Sequence, residues 1–103
     1  MNEIDIEKAR REETRWRILK VLDAGRPLSM PETLILRTLH DVSMPVTPHA
    51  LRRELDYLED RKLVTITGKD GPTWQAELTH YGVDIVEYTT ECFPGIARPK
   101  KWF

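Results

Sequence analysis

Four side chains suited to binding an anion or the edge of a base lie close together in the middle of the sequence: Thr47, His49, Arg52 and Arg53. An arginine guanidinium forms two parallel hydrogen bonds with guanine, and threonine hydroxyls and backbone N–H groups at a helix start bind phosphate. Thr47 followed by Pro48 is typical of a helix N-cap and first turn. The pattern therefore predicts that these groups lie at the N-terminal end of a helix, the end that enters the major groove of duplex DNA.

Four further cations are candidates for contacts with phosphate. Lys69 lies in the turn cluster at residues 68–72, and Arg37 precedes the four central residues on another predicted helix. Lys100 and Lys101 give the last residues of the chain a local excess of positive charge. Each would add affinity for a phosphate backbone without reading its sequence.

The charge balance supports a second interpretation. The formal net charge is −1, and residues 48–62 contain four basic and four acidic residues. Asp56, Glu59 and Asp60 repel phosphate, and charges opposite a leucine stripe are most often a solvated helix face. Both interpretations stay open at this stage: direct binding of double-stranded DNA, and a domain that binds another protein.

The scaffold for these side chains follows from the hydrophobic pattern, which has a helical period up to Lys62 and a period of two after it. Ser29 and Glu32 have the spacing of a capping box, and Leu51, Leu55 and Leu58 form a buried stripe. The predicted elements are a long helix from Glu3 to Ala24, a helix from the capping box to about His40, a helix from Thr47 to Lys62, a β-hairpin of Leu63–Thr67 and Thr73–Leu78 with Trp74 in the core, a helix from Thr79 to Tyr88, and an irregular tail.

This order, α-α-α-β-β-α, is the layout of a winged helix-turn-helix domain, and residues 47–64 resemble the recognition helix and first wing strand of that family. Leu55 and Leu58 match its two core leucines, and Leu63-Val64 match the strand entry. Leu78-Thr79-His80-Tyr81-Gly82 is similar to the start of the helix after the wing. The similar groups are small bacterial regulators of the arsenic-repressor, multiple-antibiotic-resistance and phenolic-acid-repressor types.

The resemblance implies a mainly α, α+β fold with a small β-hairpin, and a transcription regulator that reads the major groove with helix 47–62 and contacts the backbone with wing 68–72. It also implies a homodimer that pairs through the N-terminal helix, where Ile4, Ile6 and residues 8–17 would meet a second copy. The alternative is a winged-helix adaptor that binds a protein partner, for example in a phage or replication assembly. Lys62 stands where these groups commonly have glycine.

The sequence also indicates what the chain does not do. One cysteine, Cys92, excludes an internal disulfide, and His40, His49 and His80 lack metal-site spacing. We expect no cofactor and no enzymatic activity, because no catalytic arrangement of residues is found. No apolar run is long enough to span a membrane and the first residues do not resemble a signal peptide, so we expect a cytoplasmic protein. We expect a domain at 1–90 and a basic, aromatic tail at 91–103, whose faint similarity to small phage proteins suggests a phage or prophage origin.

Overall fold

The structure, a computed structural model, describes residues 4–101. Its elements are α1 (Ile6–Ala24), β1 (Met30–Pro31), α2 (Glu32–Asp41), α3 (Pro48–Asp60), β2 (Val64–Thr67), β3 (Gln75–Leu78) and α4 (His80–Val86). The three strands form one antiparallel sheet in the order β1-β3-β2. None of the helices within residues 4–101 is both long and apolar enough to cross a membrane.

Helix α1 begins at Ile6, because the carboxylate of Asp5 caps it by accepting a hydrogen bond from Lys8 N at 3.0 Å. The predicted start at Glu3 lies outside the described residues. The second half of this helix packs in the core, where Ile18 and Leu19 are completely buried. The helix ends at Ala24, as predicted, and Gly25 is its C-cap residue.

The predicted capping box at Ser29–Glu32 is wrong. Met30 and Pro31 form strand β1, which pairs with β3, and the backbone N–H of Glu32 donates to Trp74 O at 2.9 Å. Helix α2 therefore begins at Glu32 with Pro31 as its N-cap residue and has no side-chain cap. The N–H of Glu32, which Ser29 would have capped, is bonded to the residue before β3 instead. Because of the additional strand β1, the order of elements is α-β-α-α-β-β-α.

The predicted start of α3 and the predicted hairpin are confirmed. Thr47 Oγ1 accepts a hydrogen bond from Ala50 N at 3.0 Å, and Pro48 occupies the first turn. Val64 pairs with Leu78 and Thr67 with Gln75. The segment from Val64 to Leu78, called the wing below, therefore packs directly after α3, and the fold is that of a winged helix-turn-helix domain with one additional short strand.

Within residues 4–101, three of the four helices are followed by a left-handed residue that is not glycine. Ser43, Lys62 and Tyr88 follow α2, α3 and α4 with φ values of 63°, 67° and 62°. After α3, Lys62 N donates to Glu59 O and Leu63 N donates to Leu58 O, which satisfies the last carbonyls of the helix. The corresponding turn at Tyr88 ends α4 at Val86, two residues before the predicted end.

The residues after α4 pack across the domain. Ile96 is buried in the core, and Ala97 N donates to Glu12 O of α1 at 3.1 Å. Arg98 Nη1 donates to the carbonyls of Ile85 and Thr90. The tail up to Arg98 is thus a strap over α1 and α4, whereas its aromatic residues Trp102 and Phe103 lie outside the described residues.

Candidate nucleic-acid interface

The outward face of α3 carries two of the predicted cationic or polar groups. Because Leu51, Leu55 and Leu58 turn inward, His49 and Arg53 lie on the exposed side of the first two turns. Neither side chain has a hydrogen bond or an ion pair with another of residues 4–101. With Thr47 before them, they form an exposed patch at the N-terminal end of the helix, where backbone N–H groups give a partial positive charge.

Arg52 lies beside this patch, but its side chain binds within the protein. Its Nε and Nη2 donate to the two carboxylate oxygens of Glu32 at 2.8 and 2.6 Å, and Nη2 also donates to Pro72 O at 3.2 Å. The guanidinium carbon stands 4.6 Å from the ring centroid of Trp74. Arg52 thus connects α3 with α2 and the wing, which the sequence analysis did not anticipate.

Glu32 is the acceptor at the centre of this cluster. The residue is only 8% exposed, and besides Arg52 it accepts the backbone N–H of Trp74 at 2.7 Å. The hydrogen bonds from Arg52 lower the pKa of Glu32, more than burial raises it, and the bond from Trp74 lowers it further. The carboxylate is therefore ionised at neutral pH and holds Arg52 in a fixed position.

Lys69, at the tip of the wing, folds back onto the second half of α3. Its Nζ lies 2.6 Å from Asp56 and 2.9 Å from Glu59, and these hydrogen bonds raise its pKa. Glu59 also accepts the backbone N–H of Ile66 at 3.0 Å. Two of the carboxylates predicted to repel phosphate are thus paired with a wing cation, which reduces the negative field over α3.

Trp74 lies between these two ion-pair groups. Lys69 Nζ is 5.0 Å from its ring centroid, on the same indole that Arg52 contacts. The predicted core position of Trp74 is confirmed, because the residue is 9% exposed. Its indole N–H is buried without a hydrogen-bond partner among residues 4–101.

A groove of about 400 Å³ runs between the first turns of α2 and α3 and the end of the wing turn. Its lining residues are Glu32, Thr33, Leu36, Pro48, His49, Leu51, Arg52, Pro72 and Thr73. His49 and the guanidinium of Arg52 are therefore on one concave surface, next to the exposed patch. The structure brings together the central predicted residues on this side.

The remaining predicted cations lie elsewhere. Arg37 is exposed on α2. Lys100 is exposed on the tail, and Lys101 Nζ stands 5.0 Å from the ring centroid of Tyr88, just after α4. The tail lysines thus lie beside α4 and not on the first turns of α3. Within residues 4–101, no group of three or more His, Cys, Asp or Glu side chains is arranged to hold a metal ion.

Glu32 and Asp56 were not predicted as partners of the cationic side chains that they bind. The spacing between Ser29 and Glu32 indicates a capping box. The groups that bind Glu32 belong to Arg52 and Trp74, which are 20 and 42 residues away in the chain. No local signal reveals such a contact. The pairing of Asp56 with Lys69 likewise depends on how the wing folds back.

Comparisons with known proteins identify the fold and one regulator that shares it. No protein-family model matches the sequence, and a search of curated proteins found no match. Among solved structures, the chain is similar to RosR of Halobacterium salinarum, a winged-helix transcription regulator, with 27% sequence identity and a TM-score of 0.65. The similarity covers 74% of this chain and 67% of the RosR chain. The chain therefore shares the winged-helix fold with a transcription regulator of known structure.

Proposed function

We propose that this chain is a transcription regulator that binds double-stranded DNA in the cytoplasm and has no catalytic activity of its own. The observation that carries the proposal is the fold that it shares with RosR over three quarters of its length. The exposed patch on α3 supplies the chemistry for the contact, because it combines a helix N-terminus with an arginine and a histidine that have no hydrogen bond or ion pair with another of residues 4–101.

In this proposal the residues divide into two groups. Thr47, His49 and Arg53 face the major groove, with Arg53 donating to a base edge or a phosphate. Arg52 stays bound to Glu32 and offers Nη1, which has no hydrogen bond to any of residues 4–101, to the same groove.

The turn of the wing, residues 68–72, lies along the DNA backbone, where Lys69 keeps its ion pairs with Asp56 and Glu59 and donates its third N–H to a phosphate. Arg37, Lys100 and Lys101 add contacts to phosphate from α2 and the tail.

Binding to duplex DNA is tested by fluorescence anisotropy with a pool of random duplexes at about 50 and about 200 mM salt. We expect binding that weakens steeply as salt rises, since cations on phosphate release counterions. An operator selected from the pool then allows the residues to be tested. Arg53→Ala should lower affinity for that operator about tenfold or more, because a good base contact contributes roughly 1–3 kcal/mol.

Arg61→Ala is the matched control, because Arg61 is also an exposed arginine without an ion pair among residues 4–101 but lies at the C-terminal end of α3, away from the exposed patch and from the N-terminal helix. Equal losses in the two variants would mean that the N-terminal end of α3 is not the reading surface. Absence of binding at the lower salt concentration would overturn the proposal and leave a protein-binding adaptor as the function of this fold.

We also propose that two copies pair through the N-terminal helix. Pairing would supply two recognition helices for the two half-sites that a symmetric operator presents. The exposed Ile4 and Ile6 support this, because apolar side chains at the start of a helix are covered when a second copy packs there. Sedimentation velocity, which measures the oligomeric state of the chain in solution, tests this pairing.

A further inference from the structure

The first turns of α1 project from the domain. Every residue from 4 to 11 is exposed, and burial in the core begins only with Thr14. Ile4 is 88% and Ile6 is 54% exposed, and these two isoleucines alternate with the acidic Asp5 and Glu7. A short helical segment in water gains little stability by itself. A protein surface that covers its two isoleucines would therefore stabilise this apolar and acidic segment.

A groove of about 310 Å³ between the second half of α1 and helix α2 is apolar and basic, and it therefore complements the apolar and acidic segment. Its lining residues are Arg17, Lys20, Val21, Ala24, Gly25, Met30, Leu34, Thr38 and Val42. Leu34 and Val42 are nearly half exposed. The lining therefore offers apolar side chains flanked by two cations and includes no acidic residue.

Ile6 and the α1 wall of this groove lie on one face of the same helix. Positions 6, 10, 13, 17, 21 and 24 follow the three- and four-residue spacing of a single helical stripe. Ile6 and Val21 are thus separated by about 22 Å along the helix axis at a rise of ~1.5 Å per residue. When two such helices pack antiparallel about a two-fold axis, the start of each lies beside the second half of the other, so both grooves are filled together.

We propose that residues 4–7 of each copy dock in the α1–α2 groove of a second copy of this chain. Ile4 and Ile6 would cover Leu34 and Val42, while Asp5 and Glu7 would lie next to Arg17 and Lys20. Charge complementarity argues for this occupant, since the segment is acidic and the groove is basic. The inference rests on the proposed pairing through the N-terminal helix, and it names the surface that receives that helix.

Sedimentation velocity over a concentration series tests the apolar contact. Ile6→Asp and Leu34→Asp should each raise the dimer dissociation constant at least about tenfold, because a charge would replace an apolar side chain at the interface. Tyr81→Asp is the matched control, because Tyr81 is 56% exposed on α4, away from both surfaces, and should leave the dissociation constant unchanged. Circular dichroism checks that each variant is folded.

A charge exchange tests the orientation. Glu7→Lys and Lys20→Glu should each weaken the dimer, since each places like charges together in both grooves. An equimolar mixture of the two variants should restore it, because in the mixed dimer position 7 of each copy faces an opposite charge at position 20.

A chain that stays monomeric at all concentrations would overturn both the pairing and the groove. A dimer insensitive to these substitutions would overturn the groove alone and show that the copies pair elsewhere. If Leu34→Asp weakens the dimer but Ile6→Asp does not, the groove lies at the interface and the contact with residues 4–7 is wrong. Failure of DNA binding in the anisotropy assay with an intact dimer would overturn only the proposed function.

Discussion

Replacing Glu32 by alanine removes the acceptor that holds α2, α3 and the wing together. The carboxylate is 8% exposed and accepts three hydrogen bonds, two from Arg52 and one from the buried backbone N–H of Trp74. Arg52 is partly exposed and regains water, but the N–H of Trp74 is left unpaired inside the protein. An unpaired buried polar group costs about 1–3 kcal/mol, and we expect a total loss of about 2–3 kcal/mol with the charged bonds included.

Thermal unfolding followed by circular dichroism measures this loss. In a domain of this size, about 1 kcal/mol corresponds to roughly 4–8 °C, so the midpoint of Glu32→Ala should fall by roughly 10–20 °C. Glu77→Ala is the control, because Glu77 is exposed on β3 and has no ion pair among residues 4–101. A midpoint for Glu32→Ala within the range of this control would refute the view that Glu32 clamps the wing to the helices.

Two further predictions concern the same scaffold. The pKa of Glu32 is lowered from its ordinary value of 4.5, so its contribution to stability is complete above pH 4.5 and is lost as the pH falls through the lower pKa of the folded state. Urea unfolding at stepwise lower pH should show this loss of stability. The variant Glu32→Gln, which has no carboxylate at this position, should lose less stability over the same pH range. Lys62→Gly should raise the free energy of unfolding by about 1 kcal/mol, because Lys62 has a φ of 67° that only glycine adopts without strain. Arg61→Gly, at a φ of −83°, should lower it by about 0.5–1 kcal/mol, and a change of the same sign in both variants would contradict the reasoning.

The elements that the sequence predicted well are those whose signals are local. The caps at Thr47 and Thr79 each bond a backbone N–H three residues away, so the residues that specify them are next to each other in the sequence. The change of period after Lys62 likewise predicts the hairpin without knowledge of any distant partner. These signals suffice for the fold class and for the face of α3 that carries His49 and Arg53.

The features that the sequence did not predict depend on distant contacts. Strand β1 has two residues, too few for a detectable alternation, and exists because β3 offers it partners. The local spacing at Ser29–Glu32 satisfies the rule for a capping box, but the carboxylate is used by Arg52 and Trp74. For the same reason the sequence did not reveal that Arg52 and Lys69 are bound by carboxylates of the same domain.

The strap formed by the tail also has a consequence for the time at which the domain can finish folding. A ribosome releases α1 first, but Ile96 and the bond from Ala97 to Glu12 that complete its cover are made last. Ile18 and Leu19, which are completely buried in the finished domain, belong to the same core as Ile96, so this core is complete only after the tail has emerged as well. During that interval the nascent chain presents the apolar face of α1 to chaperones and to other nascent copies.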